Sequence, residues 1–408
     1  MATDSLNENR LFINGEFVPS LSGKTFDIIN PTTEEVIAAV YEADVGDVDR
    51  AVEAAKAAFP ACHAMDITGE TSLNTPGYLN LSVRQPYGVC GGIIPWNAPL
   101  LMLVTKIGPA LAAGNTMVLK SSEKSPFASI VFASLCQTVG LPKGVLNILS
   151  GFGQPCGEAI AKHMKASSES NLKDVSLELG GKSPLLVFDD APLEKAVMSA
   201  TFSILYNSGQ VCMASTRTYV QEGIAPRFIE ALKQAMAEMG VPGDPTLADT
   251  KRGPQVDKLQ FSRVLSSLDH AKEQGFEITL GGNKARDKGY FADATIVQNV
   301  PEDDKLVRGE IFGPLLVVNT FTGEEEVLKR ANDTEFGLYS SVFTSDISRA
   351  LRVAKALEAG AVGVNCTSPF MVVDLPMGGW KQSGAGGREF SKACLDTWTQ
   401  LKSVFISL

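Results

Sequence analysis

Two short apolar runs flank an Asn-Gly pair in Leu11-Phe-Ile-Asn-Gly-Glu-Phe-Val18, the pattern of a β-hairpin closed by a tight turn. The Ala-rich stretch Asp47–Phe59 then predicts a helix. From Tyr87 onward, β-rich runs at Val89–Ile94, Thr116–Lys120 and Val145–Ser150 alternate with helical ones at Leu100–Ala113 and Ser125–Val139. Such alternation predicts βαβ units and a parallel sheet. The pattern resumes after Glu178 with a strand at Pro184–Phe188, a helix over Ala191–Tyr206 capped by Asp189 or Asp190, and a strand at Thr216–Gln221. Two α/β domains in succession are expected. Tyr78–Gln85 and Leu401–Leu408 alternate in polarity without an accompanying helix, so each is expected to pair with the other or with a partner chain. The Gly-rich stretch Met377–Gly387 carries a Trp between ordered-looking segments and reads as a structured loop.

Composition narrows the function classes. A chain of 408 residues with 44% hydrophobic side chains can bury large cores in two or three domains. Its 46 acidic and 36 basic side chains leave a net charge of −10, which argues against non-specific binding to nucleic acid or anionic membrane. The N-terminus lacks an apolar signal core and no run reaches membrane-span length, so a cytoplasmic location is expected. Seven scattered cysteines without a C-x-x-C pattern suggest neither a disulfide framework nor a zinc site. The three histidines, 63, 163 and 270, lie too far apart in sequence to suggest a metal centre or a His-based triad, and His63 and His163 read as solvated.

The chemistry gathers on a thiol and a carboxylate. Cys212, in Asn207-Ser-Gly-Gln-Val-Cys-Met-Ala-Ser-Thr-Arg217, follows Glu178, in Leu177-Glu-Leu-Gly-Gly-Lys-Ser-Pro184, by 34 residues. A cysteine attacks a carbonyl carbon as its thiolate and needs a base or a local field to form it, which Glu178 can supply. A lone cysteine in an apolar-rich chain is otherwise a small buried hydrophobe.

Six ordered motifs carry a specific resemblance. Pro95-Trp-Asn97, Lys120-Ser-Ser-Glu123, Leu177-Glu-Leu-Gly-Gly-Lys182, Gly209-Gln-Val-Cys212, Glu310-Ile-Phe-Gly-Pro314 and Gly378-Gly-Trp-Lys-Gln-Ser-Gly384 resemble the successive signatures of the NAD(P)-dependent aldehyde dehydrogenase superfamily. The resemblance implies an α/β fold in three parts. These are a Rossmann-like cofactor domain (1–69 and 88–180, incomplete), an α/β catalytic domain (181–394) and a β oligomerisation arm (70–87 and 395–408) that joins subunits into a homodimer or homotetramer.

The same resemblance implies roles. Cys212 forms a thiohemiacetal whose oxyanion is held by the Asn97 side-chain amide and the Cys212 N–H, and Glu178 activates the water that hydrolyses the later thioester. NAD contacts are implied for Pro95, Trp96 and Gly180, with Lys120 and Glu123 on the adenosine ribose and Glu310 and Phe312 on the nicotinamide ribose and ring. A carboxylate at Glu123 would repel a 2′-phosphate, so NAD is expected over NADP. Ala98, Met102, Thr105, Val211, Met213 and Met377 are expected to wall an apolar tunnel for a small aldehyde.

Two blocks that the family carries are absent. After Ala58-Phe-Pro60 the chain passes almost at once to Ile67–Gly77, the start of the arm, where the family continues through long helices. Between Met164 and Lys165 it omits a strand, a Gly-Ser-Thr turn and the start of the helix whose amides hold the pyrophosphate. The omissions predict an uncovered sheet edge and weakened NAD binding. Two other functions stay compatible with these residues: an NAD-independent esterase or thioesterase using Cys212, and a non-catalytic oligomerising paralogue.

Overall fold

The computed structural model describes residues 8–62, 67–163, 174–369 and 372–408. They form two compact units, one of Met1–Ile29, Val36–Asp174 and Gly387–Leu408, the other of Asn30–Glu35 and Val175–Gly386. His63 and the junction of Met164 with Lys165 fall outside the described residues.

The first unit opens with the expected hairpin, β1 (Leu11–Ile13) and β2 (Glu16–Val18), in the register Leu11↔Val18. Asn14 and Gly15 turn the chain at φ of 53° and 77°, the left-handed pair that a tight hairpin turn requires. β3 (Thr25–Ile29) and β4 (Val36–Tyr41) make a separate ribbon, and α1 spans Val45–Cys62. After β5 (Ile67–Ser72) and β6 (Tyr78–Pro86) come the βαβ units: β7 (Val89–Ile93), α2 (Pro99–Ala112), β8 (Thr116–Ser122), α3 (Phe127–Thr138) and β9 (Leu146–Gly151). The main sheet runs β2-β1-β9-β8-β7, with β7, β8 and β9 parallel. β8 and β9 are buried throughout because helices cover both faces. On one face Val118 and Leu149 meet Val48, Ala51 and Ala55 of α1. On the other, Met117, Leu119 and Ile148 meet Leu103, Ile107 and Ala110 of α2.

β7 ends this sheet among the described residues. Gly88 O accepts from Thr116 N–H and Ile94 N–H donates to Lys120 O, so by strand alternation Val89, Gly91 and Ile93 turn their backbone groups to the open side. Ile93 is exposed there. The arm strands pair with each other: the C-terminal strand Thr399–Ser407 runs antiparallel to β6 from Thr399↔Pro86 to Ser407↔Tyr78, leaving Leu401, Phe405 and Ile406 exposed.

The second unit is built on β10 (Leu177–Glu178), β11 (Pro184–Val187), α4 (Leu193–Leu205), β12 (Arg217–Gln221), α5 (Ala225–Met239), α6 (Lys258–Glu273), β13 (Glu277–Leu280), β14 (Thr295–Gln298), β15 (Leu315–Phe321), β16 (Phe336–Gly337), β17 (Tyr339–Phe343), β18 (Ala361–Val364), β19 (Trp380–Lys381) and β20 (Gly384–Ala385). Its sheet runs β13-β14-β15-β12-β11-β17-β18, parallel except for β13. One core packs Ala196, Ala200 and Ile204 of α4 and Phe228 and Leu232 of α5 against Leu185, Val220 and Val318. Another packs Phe261, Val264 and Leu268 of α6 against Val297 and Val317. The Gly-rich 377–387 stretch is structured, as β19 and β20 within it pair with β16 and β10.

Two expectations are corrected. Neither Asp189 nor Asp190 caps α4, whose N-cap is Pro192 without a side-chain bond. The Asp190 carboxylate instead accepts from Thr344 Oγ1, the Asp346 N–H and Arg349, a cluster that outcompetes the local cap. His163 is not simply solvated, because its Nε2 lies 2.7 Å from the Asp49 carboxylate.

Candidate active site

Cys212 sits at the end of a wound-up turn. Asn207, Ser208 and Gly209 take φ of 48°, 56° and 74°, a run of left-handed backbone that persists only where the surroundings hold it. Two buried amide side chains, of Gln210 and Gln255, do so, and a third, of Gln260, holds the 311–312 backbone. Gln210 Oε1 accepts from Val256 N–H, Gln255 Nε2 donates to Ser208 O at 3.0 Å, and Gln260 Nε2 donates to Ile311 O and Phe312 O. Gly209 is also a point of contact between two motifs, since a Cβ there would stand 2.2 Å from the Gly313 carbonyl. Phe312, itself at φ 59°, immediately precedes Gly313 and is held by Gln260.

The Glu178 segment meets the same point. β10 places Glu178 beside Gly384 of β20, and Ser383 braces the chain just beyond Glu178 by donating from Oγ to Gly180 O at 2.7 Å. The Gly180-Gly181 pair then passes between two close neighbours, the Glu310 carboxylate and the Cys212 backbone. A Cβ at 180 would lie 2.5 Å from Glu310 Oε2, and one at 181 would lie 2.2 Å from Cys212 O. Gly181 N–H donates to Glu310 Oε1 at 2.9 Å. Glu178, Gly180, Cys212, Glu310 and Phe312 are thus brought together in one unit.

Electrostatics suit a resting thiol. Burial pushes the Cys212 thiol up to about 12, and the carboxylates of Glu178 and Glu310 add to the rise against the opposing N–H groups of Met213 and Cys212 itself. Burial of its carboxyl also raises Glu310, which the Gly181 N–H and the Lys182 ammonium offset. Lys182 was not singled out from sequence. Its side chain is buried with no hydrogen-bond partner for Nζ, and burial, with the Arg217 guanidinium, lowers it to about 7. The one signal was a lysine at the head of the apolar run Pro184-Leu-Leu-Val187.

The cofactor candidates of the first unit lie at the C-terminal ends of its strands. Pro95, Trp96 and Asn97 form the loop from β7 to α2, with Trp96 and Asn97 half-buried. Lys120, near the end of β8, is buried and donates from Nζ to the carbonyls of Ser121 at 2.9 Å and Gly151 at 2.7 Å. Burial lowers its pKa. Glu123 comes next, half-buried, and accepts from Ser122 Oγ at 3.3 Å.

The tunnel candidates divide. Ala98 is the N-cap of α2, while Met102 leans into the core beneath that helix and its carbonyl accepts from Thr105 Oγ1. Leu100, Leu101 and Val104 are the exposed apolar residues of α2. In the second unit Val211 is half-exposed, whereas Met213 and Met377 are buried. Met198, Phe202 and Tyr206, missed in the sequence, form an exposed ridge on α4 and the turn into the Cys212 loop, with the Phe202 and Tyr206 rings 5.4 Å apart. Their i, i+4, i+8 spacing, opposite the buried Ala196, Ala200 and Ile204, was the available signal.

Comparison with known proteins agrees along the whole chain. A family model described as "Aldehyde dehydrogenase family" matches residues 17–69, 61–168 and 159–404. An aldehyde dehydrogenase of Alternaria alternata is 41% identical over 475 aligned positions covering 98% of this chain and 95% of that protein. Aldehyde dehydrogenase 1A1 of Mesocricetus auratus is 36% identical, covering 100% and 97%. The solved NAD+ complex of an aldehyde dehydrogenase from Bacillus cereus superposes with a TM-score of 0.93 at 35% identity, covering 100% of this chain and 98% of that one. An alignment of 475 positions exceeds the 408 residues here, so the relative carries internal segments that this chain lacks. The family match breaks at 61–69 and 159–168, the same two places at which the motifs indicated omissions.

Proposed function

The chain belongs to the aldehyde dehydrogenase family, and from that membership we propose that it oxidises an aldehyde to a carboxylic acid with NAD, working from Cys212. The observation that carries the site assignment is the seating of Gly181, three residues after Glu178, against the Cys212 carbonyl. It fixes the carboxylate segment to the thiol segment.

The thiol, held near 12, does not ionise by itself at neutral pH, so attack on the aldehyde carbon requires its proton to leave as the S–C bond forms. Glu178, whose charge helps to raise that thiol, is the assigned acceptor. The thiohemiacetal oxygen is assigned to the Cys212 N–H and, by its family motif, to the Asn97 amide. Once the thioester has formed and Glu178 has released the thiol's proton to solvent, its carboxylate takes a proton from the water that attacks the thioester and returns it to the departing Cys212 thiolate as the acid leaves.

The residues present fit NAD at its two ends. Gly157 leaves room over Lys120, where a Cβ would come within 3.3 Å of Cε, and Ser125 Oγ is buried without a partner. Lys120 and Glu123 would hold the adenosine ribose, with Pro95 and Trp96 beside them, and Gly180, Glu310 and Phe312 the nicotinamide end. NAD when bound supplies the hydride acceptor. Glu123 favours it over NADP by charge repulsion. The exposed ridge of Met198, Phe202 and Tyr206, with Val211, supports an apolar aldehyde. The exposed apolar residues of the Thr399–Ser407 strand support a homo-oligomer joined through that arm.

The test is NADH formation by the purified chain with a panel of aliphatic and aromatic aldehydes. Protein that binds NAD yet forms no NADH with any of them would overturn this function.

A further inference from the structure

Cys212 lies inside a hydrogen-bonded turn, because the Ala214 N–H donates to Val211 O at 3.0 Å. The entry to that turn is held by Gln210 and Gln255. Its exit is held by hydroxyls from distant parts of the chain. Ser203 of α4, Ser341 of β17, Ser215, Thr367 and Ser368 are all buried. Ser368 Oγ donates to Met213 O at 2.5 Å, and Ser203 Oγ accepts from Ser215 N–H at 2.9 Å. The Ser203 and Ser368 hydroxyls themselves lie 2.9 Å apart.

A count of hydrogens fixes the direction of this last bond. Ser368 has given its one hydrogen to the Met213 carbonyl, so the hydrogen between the two hydroxyls comes from Ser203. Ser215 N–H, Ser203 O–H and Ser368 O–H therefore point the same way round a chain that ends on Met213 O and closes over Ala214. Bonds in such a chain polarise and strengthen one another. A second chain runs beside it: Ser341 Oγ donates to Thr367 Oγ1 at 2.6 Å, which leaves the Thr367 hydrogen for Ser215 Oγ at 2.7 Å. Thr367 and Ser368, from a segment more than 150 residues further on, thus grip both ends of Met213–Ser215.

We propose that Ser203 and Ser368 are positioning residues for the oxyanion donor at Cys212. Their hydroxyls hold the exit of the Val211–Ala214 turn, and through it the Cys212 N–H, in the direction that the thiohemiacetal oxygen requires. The proposal rests on the reading of Cys212 as the nucleophile. It differs from a role in folding alone, because it ties the hydroxyls to one kind of reaction at the thiol and not to every reaction there.

Ser368→Ala and Ser203→Ala, singly and together, test it through two reactions of Cys212. Aldehyde oxidation passes through an oxyanion, whereas alkylation by iodoacetamide does not. Each single variant should lose about tenfold in kcat/KM for the aldehyde, the effect of a misdirected donor at the reacting centre, and should lose less in alkylation rate. NAD affinity, measured by titration, should stay at the parental value. The double variant should lose no more than the worse single one, since either change opens the same ring. Thr201→Val is the control: it removes from the same helix a buried hydroxyl that has no hydrogen-bond partner, and should change neither reaction. Circular dichroism checks each fold, and Ser203→Ala serves alone where Ser368→Ala does not fold. Equal losses in oxidation and alkylation, or losses that add in the double variant, overturn the proposal and leave Cys212 as the nucleophile. Oxidation that survives Cys212→Ala overturns the nucleophile assignment and the proposal with it.

Discussion

Gly181 and Cys212 are packed backbone to backbone: a Cβ at position 181 would stand 2.2 Å from the Cys212 carbonyl oxygen. No rotamer relieves that contact, because neither partner is a side chain. Gly181→Ala should displace the Cys212 loop and lower turnover by about two orders of magnitude, the usual effect of an ångström-scale error at a reacting centre. Steady-state kinetics and Cys212 alkylation, measured together, check it; parental values in both would show that the loops yield freely.

Cys212→Ala should abolish aldehyde oxidation and any ester hydrolysis. Cys156→Ala should retain turnover, since Cys156 is buried beside Gly151 in the other unit and burial pushes its thiol up to about 12. The matching values make the comparison useful: a thiol raised by burial and by nearby carboxylates is common to both, so the pKa alone does not single out Cys212. Activity measured for both variants on one aldehyde decides the matter, and a dead Cys156→Ala with a live Cys212→Ala would reverse the assignment.

With the Cys212 thiol held at about 12, its alkylation by iodoacetamide in the cofactor-free protein should rise about tenfold per pH unit from pH 7 to 10. Glu178→Gln removes one of the charges that raise it and should speed alkylation at each pH, even as it blocks thioester hydrolysis. Because Glu178 is also the assigned acceptor of the thiol proton, the NADH burst should slow, and the steady state should fall further still. A rate that levels off near pH 9 would mean an ordinary thiol.

Lys182 gives a stability signature. Its folded-state pKa, lowered to about 7, lies below its ordinary 10.5, so the unfolded chain binds more protons between those values and stability rises with pH across that window. Below pH 7 the buried ammonium carries its full burden. Lys182→Met, which gives up no hydrogen bond at Nζ, should therefore melt above the parent at pH 6, with the gap closing toward pH 10. A gap that does not change with pH would assign Lys182 a purely steric role.

Local pattern made much of this fold legible. The Asn14-Gly15 turn, the ends of β7 and β9 and the pairing of the two arm strands needed only short-range chemistry or strict alternation. What escaped depends on distant partners. Asp190 looked like a cap, but Thr344, Asp346 and Arg349, more than 150 residues away in sequence, hold its carboxylate. Lys182 and the Met198-Phe202-Tyr206 ridge show the same limit: whether a residue faces core or water is decided by which helices the sheet receives.

Among the described residues the sheet stops at β7, which gives that strand two unlike sides. The amides of Cys90 and Gly92 are directed to β8, while those of Val89, Gly91 and Ile93 face outward, so deuterium should enter the strand at every second residue. Heat will loosen it from that outer side, and the loosening reaches Ile94 and the Pro95-Trp96-Asn97 loop before it reaches the enclosed β8 or β9. Asn97, proposed above as an oxyanion donor, hangs from an edge strand of its sheet, so on warming the protein should lose its chemistry at a temperature where most of its fold is still intact.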